Sequence, residues 1–389
     1  MEKRPIINTA SRLGAVKEYY FSVKLREIAQ MNASGKKVIN LGIGSPDLSP
    51  PPEVVETLVK ESTRPDVHGY QSYVGIPELR SAFSNWYATY FGVALNPDKE
   101  ILPLIGSKEG IMHISMTFLE AGDEVLIPNP GYPAYSAVAN LTGARIREYR
   151  LSEELNWLPD LELLGKEDLS RVKIMWVNYP HMPTGAQANE DFFRELIAFA
   201  KENKLLICND NPYSFILNDK PTSILAVEGA KEVALELNSL SKAHNMAGWR
   251  IGMLAGAEGY IQSVLRFKSN MDSGMFRPAQ LAAAKALSLD KSWYEGQNGI
   301  YRKRQQKAFE LLDILECQYT TDQTGLFVWA KTPSGVKDGF ELSDKVLYSS
   351  NVFLTPGGIF GSAGNSFIRI SLCSDTEVFD EAINRIKNN

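Results

Sequence analysis

From about residue 100 to residue 256 the chain alternates between short apolar runs and longer amphipathic stretches, and this alternation limits the fold more than any other feature. Seven runs read as strands: Ile101–Ile105, Glu124–Ile127, Arg145–Leu151, Lys173–Asn178, Leu205–Asn209, Ala234–Leu237 and Arg250–Ala255. The intervening stretches have helical periodicity. In Lys108–Leu119, residues Ile111, Ile114 and Phe118 share a face; in Glu190–Asn203, so do Phe193, Leu196, Ile197 and Ala200. Strands separated by helices point to a mostly parallel sheet covered by helices on both faces, an α/β fold with seven strands.

The flanking regions have a different pattern. Residues 1–50 contain one helical pattern, Val16–Met31, and a tight turn, Gly42-Ile43-Gly44-Ser45-Pro46-Asp47. Residues 291–389 open with a long helical pattern and continue with β-like runs at Gly325–Ala330 and Ser366–Leu372. A chain of 389 residues exceeds what one core usually supports. The expected organisation is a large domain over 45–290 and a smaller α+β domain assembled from 1–44 and 291–389.

A formal charge of −5 argues against non-specific nucleic-acid binding. The basic run Arg302-Lys303-Arg304 reads as a solvated helix face. No stretch of about 18 apolar residues offers a membrane-spanning helix, and Met1 to Ala10 lacks the apolar core of a signal peptide. Cys208, Cys317 and Cys373 are widely spaced, which suits a reducing cytoplasm and no metal site. The four histidines make no ligand pair with them.

Five segments can carry chemistry. Ser239-Leu240-Ser241-Lys242-Ala243-His244-Asn245-Met246-Ala247-Gly248-Trp249-Arg250 follows an apolar strand and puts an amine between a hydroxyl and a guanidinium. Asp210-Asn211-Pro212-Tyr213 also follows a strand, where ligands of such sheets collect; a turn-forming aspartate is the plain alternative. Gly106-Ser107-Lys108 joins a strand to a helix, and free N–H groups at a helix start can bind phosphate. Tyr132 lies in the turn Asn129-Pro130-Gly131-Tyr132-Pro133. Arg369, between Ile368 and Ile370, puts a charge near the core, which is costly unless it is paired.

Taken together and in order, Gly44, Tyr70, Ser107, Tyr132, Asp210, Tyr213, Ser239, Lys242, Arg250 and Arg369 resemble the class I/II (aspartate aminotransferase-like, fold-type I) pyridoxal 5′-phosphate (PLP) enzymes over nearly the whole chain. The resemblance implies a PLP-dependent aminotransferase that moves an amino group from an L-amino acid to a 2-oxo acid by ping-pong kinetics. Lys242 would hold the cofactor as a Schiff base and act as general base. Asp210 would pair with the ring nitrogen, Tyr213 with the phenolic oxygen, and Tyr132 would stack on the ring. Ser107, Lys108, Ser239 and Arg250 would hold the phosphate, joined across a homodimer by Tyr70 of the second copy. Gly44 and Arg369 would receive the substrate carboxylate. The same residues also suit a C–S β-lyase; a non-catalytic PLP-binding regulator and a degenerate fold that no longer binds cofactor are the remaining alternatives. The segment Lys268–Phe276 resembles one in LL-diaminopimelate aminotransferases, a local likeness that does not name a substrate.

There is one departure from the family pattern. Where the family has Asn-Pro-Thr-Gly, this chain has Met182-Pro183-Thr184-Gly185. A thioether donates no hydrogen bond, so Tyr213 is left as the main partner of the phenolic oxygen. The Schiff base is then expected to titrate at higher pH than in relatives with asparagine. His181 could compensate from the same loop, although a loop histidine is ordinarily solvated.

Overall fold

The computed structural model describes residues 6–16, 18 and 20–389. A two-residue strand, β1 (Ile39–Asn40), precedes the large sheet, whose strands are β2 (Ile101–Leu104), β3 (Glu124–Asn129), β4 (Arg145–Arg150), β5 (Val172–Val177), β6 (Leu206–Asp210), β7 (Ala234–Ser239) and β8 (Gly252–Gly256). Their order is β2-β8-β7-β6-β5-β3-β4. Only β8 runs against its neighbours; the β3, β4, β5, β6 and β7 pairings are parallel. All seven expected strands are present, with ends shifted by one or two residues.

Helices cover both faces, so the inner strands are continuous apolar runs rather than alternating ones. Two separate clusters of buried side chains result. One, including Phe83, Leu126, Met175, Ile207 and Met253, fills one side; the other, including Leu104, Ile114, Val125, Ile174 and Leu254, fills the opposite side.

Local signals set the helix limits. Pro52, Pro77 and Pro133 each occupy a first helical position, where the missing N–H costs nothing. The helix Glu190–Asn203 has the limits expected from its periodicity, with Asn189 accepting from Phe192 N at 2.8 Å and Lys204 closing it in a left-handed conformation. The first long helix begins at Tyr20 and runs to Ala33, after a 3-10 turn at Ser11–Ala15.

The two chain ends share a third cluster. Phe21, Ile28 and Leu41 pack with Leu311, Phe353, Ile368 and Phe379. The strands here are β9 (Phe327–Lys331), β10 (Val352–Phe353), β11 (Thr355–Pro356) and β12 (Phe367–Ser371). β10 pairs in parallel with β1, and β11-β12-β9 form an antiparallel sheet.

One sequence expectation fails here. Arg304 is not on a solvated face but 1% exposed. Its guanidinium reaches Asp47 through both terminal nitrogens at 2.7 Å and Asp375 at 2.6 Å. It ties the turn after β1 to the start of the last helix, a partnership between distant segments that helical periodicity does not encode.

Candidate functional site

The parallel strands all end along one edge of the sheet, and the turns that leave it supply the site. Asp210 closes β6 and Ser239 closes β7. Gly106 and Ser107 follow β2, Tyr132 follows β3, and Asn178 follows β5. Arg250 precedes β8, and because β8 runs the other way, this too lies at the same edge. The Gly42–Asp47 turn and β12 approach from the chain ends.

Between them lies a cavity of about 480 Å³. Its lining includes Gly44, Ser107, Lys108, Tyr132, Asp210, Tyr213, Ser239, Lys242, Arg250 and Arg369. Of the ten residues that carry the family resemblance, all but Tyr70 are gathered here. That side chain is 96% exposed and does not line the cavity of its own chain.

At one end, Gly106 adopts φ +85°, and a Cβ there would lie 2.1 Å from Arg250 Nη2. Glycine is thus required both by its backbone conformation and by the guanidinium against it. Ser107 opens the helix Ser107–Phe118, and this helix start, Ser239 and Arg250 share one end of the cavity, an arrangement of a kind that suits an anion. Beneath it Glu109 accepts from Ile105 N at 2.6 Å and meets His113 Nε2 at 2.5 Å, while Asp272 pairs with Lys268 at 2.6 Å. Of these, the Glu109–Ile105 bond holds the loop directly.

In the middle, Asp210 is buried and accepts from Tyr135 Oη at 3.0 Å through Oδ2. Its other oxygen, Oδ1, is buried without a hydrogen-bond partner among the described residues. Burial raises the carboxyl pKa to about 6, opposed by the Tyr135 bond and the Lys242 charge. Lys242 Nζ donates to Gly44 O at 2.7 Å, and burial lowers its pKa. Burial likewise raises the Tyr213 phenol, which stays protonated at neutral pH.

At the far end, Arg369 is 4% exposed. Nη2 donates to Gly42 O at 2.8 Å and Nη1 lies 3.3 Å from Met182 Sδ. The guanidinium stacks over Phe327 at 3.8 Å and faces Phe360 at 4.7 Å. The costly buried charge is thus held by a carbonyl and aromatic faces.

His181 is a correction. It is 3% exposed, not solvated, and it does not line the cavity. Its Nδ1 meets Thr184 Oγ1 at 2.8 Å, and burial lowers its pKa to about 3, so the ring is neutral. Sequence reasoning missed Tyr135 and Asn178. Asn178 receives Met182 N at 2.9 Å and donates to the Asp210 carbonyl. Nothing distinguishes Tyr135 from an ordinary helical tyrosine until β5 and β6 bring Asp210 beneath it.

The residues present fit a flat heterocycle bearing a phosphate and an aldehyde. The glycine-lined cradle suits the phosphate, the partnerless Asp210 oxygen suits a protonated ring nitrogen, and the buried amine suits the aldehyde.

Residues 36–386 match the family model described as "Aminotransferase class I and II". An LL-diaminopimelate aminotransferase of Dehalococcoides mccartyi is 40% identical over 381 residues, covering 97% of this chain and 98% of that protein. One from Nitratidesulfovibrio vulgaris is 39% identical over 382 residues, covering 97% and 98%. Among solved structures, substrate-bound BacF from Bacillus subtilis superposes with a TM-score of 0.94 at 36% identity, covering 98% of each chain.

Proposed function

The chain belongs to the class I and II aminotransferase family, and from that premise we propose that Lys242 is its cofactor-bearing lysine and general base. The overall activity is that of the family: PLP-dependent transfer of an amino group between an L-amino acid and a 2-oxo acid, in two half-reactions. When bound, PLP draws electrons from the substrate's α-carbon.

The remaining roles belong to this chain's own groups. Ser107, Lys108, Ser239 and Arg250 hold the phosphate. Asp210 keeps the ring nitrogen protonated, Tyr213 hydrogen-bonds the phenolic oxygen, and Tyr132 covers the ring. Arg369, with the backbone at Gly44, orients the substrate by its carboxylate. Lys242, whose pKa is lowered by partial burial, takes the α-proton and returns it from the same position in the cavity.

The observation that carries this reading is the buried, partnerless Oδ1 of Asp210 in the same cavity as Lys242. A buried acceptor without a partner is costly, and a cationic ring nitrogen removes that cost. Borohydride reduction of the cofactor-loaded enzyme followed by peptide mapping tests the central assignment. The reduced adduct is expected on Lys242; an adduct on another lysine refutes it.

The same reading makes the active unit a cytoplasmic homodimer in which Tyr70, exposed in its own chain, completes the second copy's phosphate site. It also divides the chain into a large unit, 45–290, and a small unit, 1–44 with 291–389, with the cavity between them. The shared cluster of Phe21, Leu41, Phe353 and Phe379 supports the joining of the two ends. No helix among the described residues is long and apolar enough to cross a membrane.

A further inference from the structure

An amino acid held by Lys242 at its α-amino group and by Arg369 at its α-carboxylate leaves only its side chain to be recognised. The charged groups lining the cavity are Lys108, Asp210, Lys242, Arg250 and Arg369. In the reading above, which this inference rests on, all five already serve the cofactor or the α-substituents. Among the described residues that line the cavity, no charged group is left for the side chain.

Besides the neutral polar groups Ser22, Asn178 and Ser241, the other walls are mostly apolar. Phe21 and Leu25 come from the helix Tyr20–Ala33, Ile43 from the turn after β1, and Phe360 from the segment after β11. Met182 puts a thioether beside Arg369 where an asparagine would put an amide. The helix's own basic groups are engaged elsewhere: Lys24 pairs with Glu27 at 2.8 Å and Asp344 at 3.3 Å, and Arg26 with Glu18 at 2.5 Å.

The surface around Tyr70 carries apolar groups among charged ones such as the Arg64–Asp66 and Arg277–Glu78 pairs. Gly274 packs against the backbone of Gln71 and Ser72, and Phe276 stacks on His68 at 6.0 Å. The exposed side chains there include Tyr73, Met271 and Phe276, so a second copy seated across this face brings these apolar groups with it.

Relatives named for LL-diaminopimelate act on an amino acid whose far end carries a second ammonium and a second carboxylate. Burying such an end against Phe21, Leu25 and Ile43 without partners is unfavourable, whereas an apolar side chain gains by leaving water. We infer that the amino donor of this enzyme has a large apolar side chain, of the phenylalanine, leucine or methionine kind, and that donors with a charged far end react poorly.

The test is the first half-reaction alone, which needs no amino acceptor. Cofactor-loaded enzyme is mixed with single donors, and conversion of the bound cofactor to its amine form is followed by visible absorbance. Phenylalanine, leucine or methionine is expected to react at least about tenfold faster, per unit concentration, than LL-diaminopimelate, glutamate or aspartate. Equal or faster reaction with LL-diaminopimelate or a dicarboxylic donor overturns the inference and leaves the amino-transfer reading standing. No reaction with any donor overturns that reading, and the inference with it. A second arm uses Leu25→Arg, outside the proposed catalytic groups. The glutamate-to-phenylalanine rate ratio should rise about tenfold or more, since a charge now faces the side chain. An unchanged ratio overturns the assignment of this wall.

Discussion

Asp210 has opposite effects on turnover and on the stability of the cofactor-free chain. Its carboxyl is raised from 3.8 to about 6 by burial. A carboxyl raised in the folded state binds its proton more tightly there than in the unfolded chain. Folding is therefore unpenalised below about pH 4 and loses stability as pH rises from about 4 to about 6. A carboxyl pKa that differs by about two between the folded and unfolded chain corresponds to roughly 3 kcal/mol. In protein purified without cofactor, Asp210→Asn should raise stability by roughly 1–3 kcal/mol at pH 7, with the difference closing near pH 4. Denaturant melts at the two pH values check this, and a pH-independent difference contradicts it. With cofactor, the same variant should lose at least about a hundredfold in turnover, because a neutral amide does not hold the ring nitrogen protonated. Met182 acts at the same scale. Its sulfur sits by Arg369 and His181 is turned to Thr184, so neither offers a donor to the phenolic oxygen. A hydrogen bond to a charged group contributes roughly 1.5–3 kcal/mol. Met182→Asn should therefore lower the Schiff-base pKa by about one to two, read from the pH dependence of visible absorbance. An identical titration means another group already makes that bond.

At the scale of elements, the site depends on where strands stop. The turn after β2 shows how closely. Gly106 is at φ +85° and ψ 157°, a conformation nearly closed to other residues and costing them of order 1–3 kcal/mol. Its missing Cβ also leaves room for Arg250. Gly106→Ala should weaken PLP binding to the cofactor-free protein by about tenfold or more, since about 1.4 kcal/mol of strain suffices for that factor. Titration followed by absorbance measures it. Unaltered affinity would show that neither the turn nor the guanidinium position matters for the phosphate. Glu109 holds the same turn through Ile105 N, which makes such strain harder to relax.

At the scale of the whole molecule, Tyr70 is decisive. It is 96% exposed, on a surface where Tyr73, Met271 and Phe276 are also exposed. Sedimentation should find two copies in the active species, and a fully active monomer would refute that expectation. Mixing inactive Lys242→Ala chains with Tyr70→Ala chains should restore activity that neither has alone, because a hybrid dimer holds one intact site.

The sequence alone determined what local periodicity and local chemistry determine. Seven strands were legible because most are short apolar runs alternating with amphipathic stretches, and the helix Glu190–Asn203 was legible from the helical recurrence of Phe193, Leu196, Ile197 and Ala200. Lys242, Asp210, Ser107 and Arg250 stood out because their types and order resemble the class I/II aminotransferase pattern, and they line one cavity because strand ends in such sheets meet at one edge. What lies across the chain was not legible. The burial of Arg304 depends on Asp47 and Asp375, and that of Arg369 on Phe327, Phe360 and Met182. Tyr135 meets Asp210 only through the packing of a helix on a sheet. The apolar wall of Phe21, Leu25 and Ile43 forms only when the first helix folds back over the strand ends. Side-chain environment is set by neighbours distant in sequence, so tertiary structure alone decided what this cavity presents to its substrate.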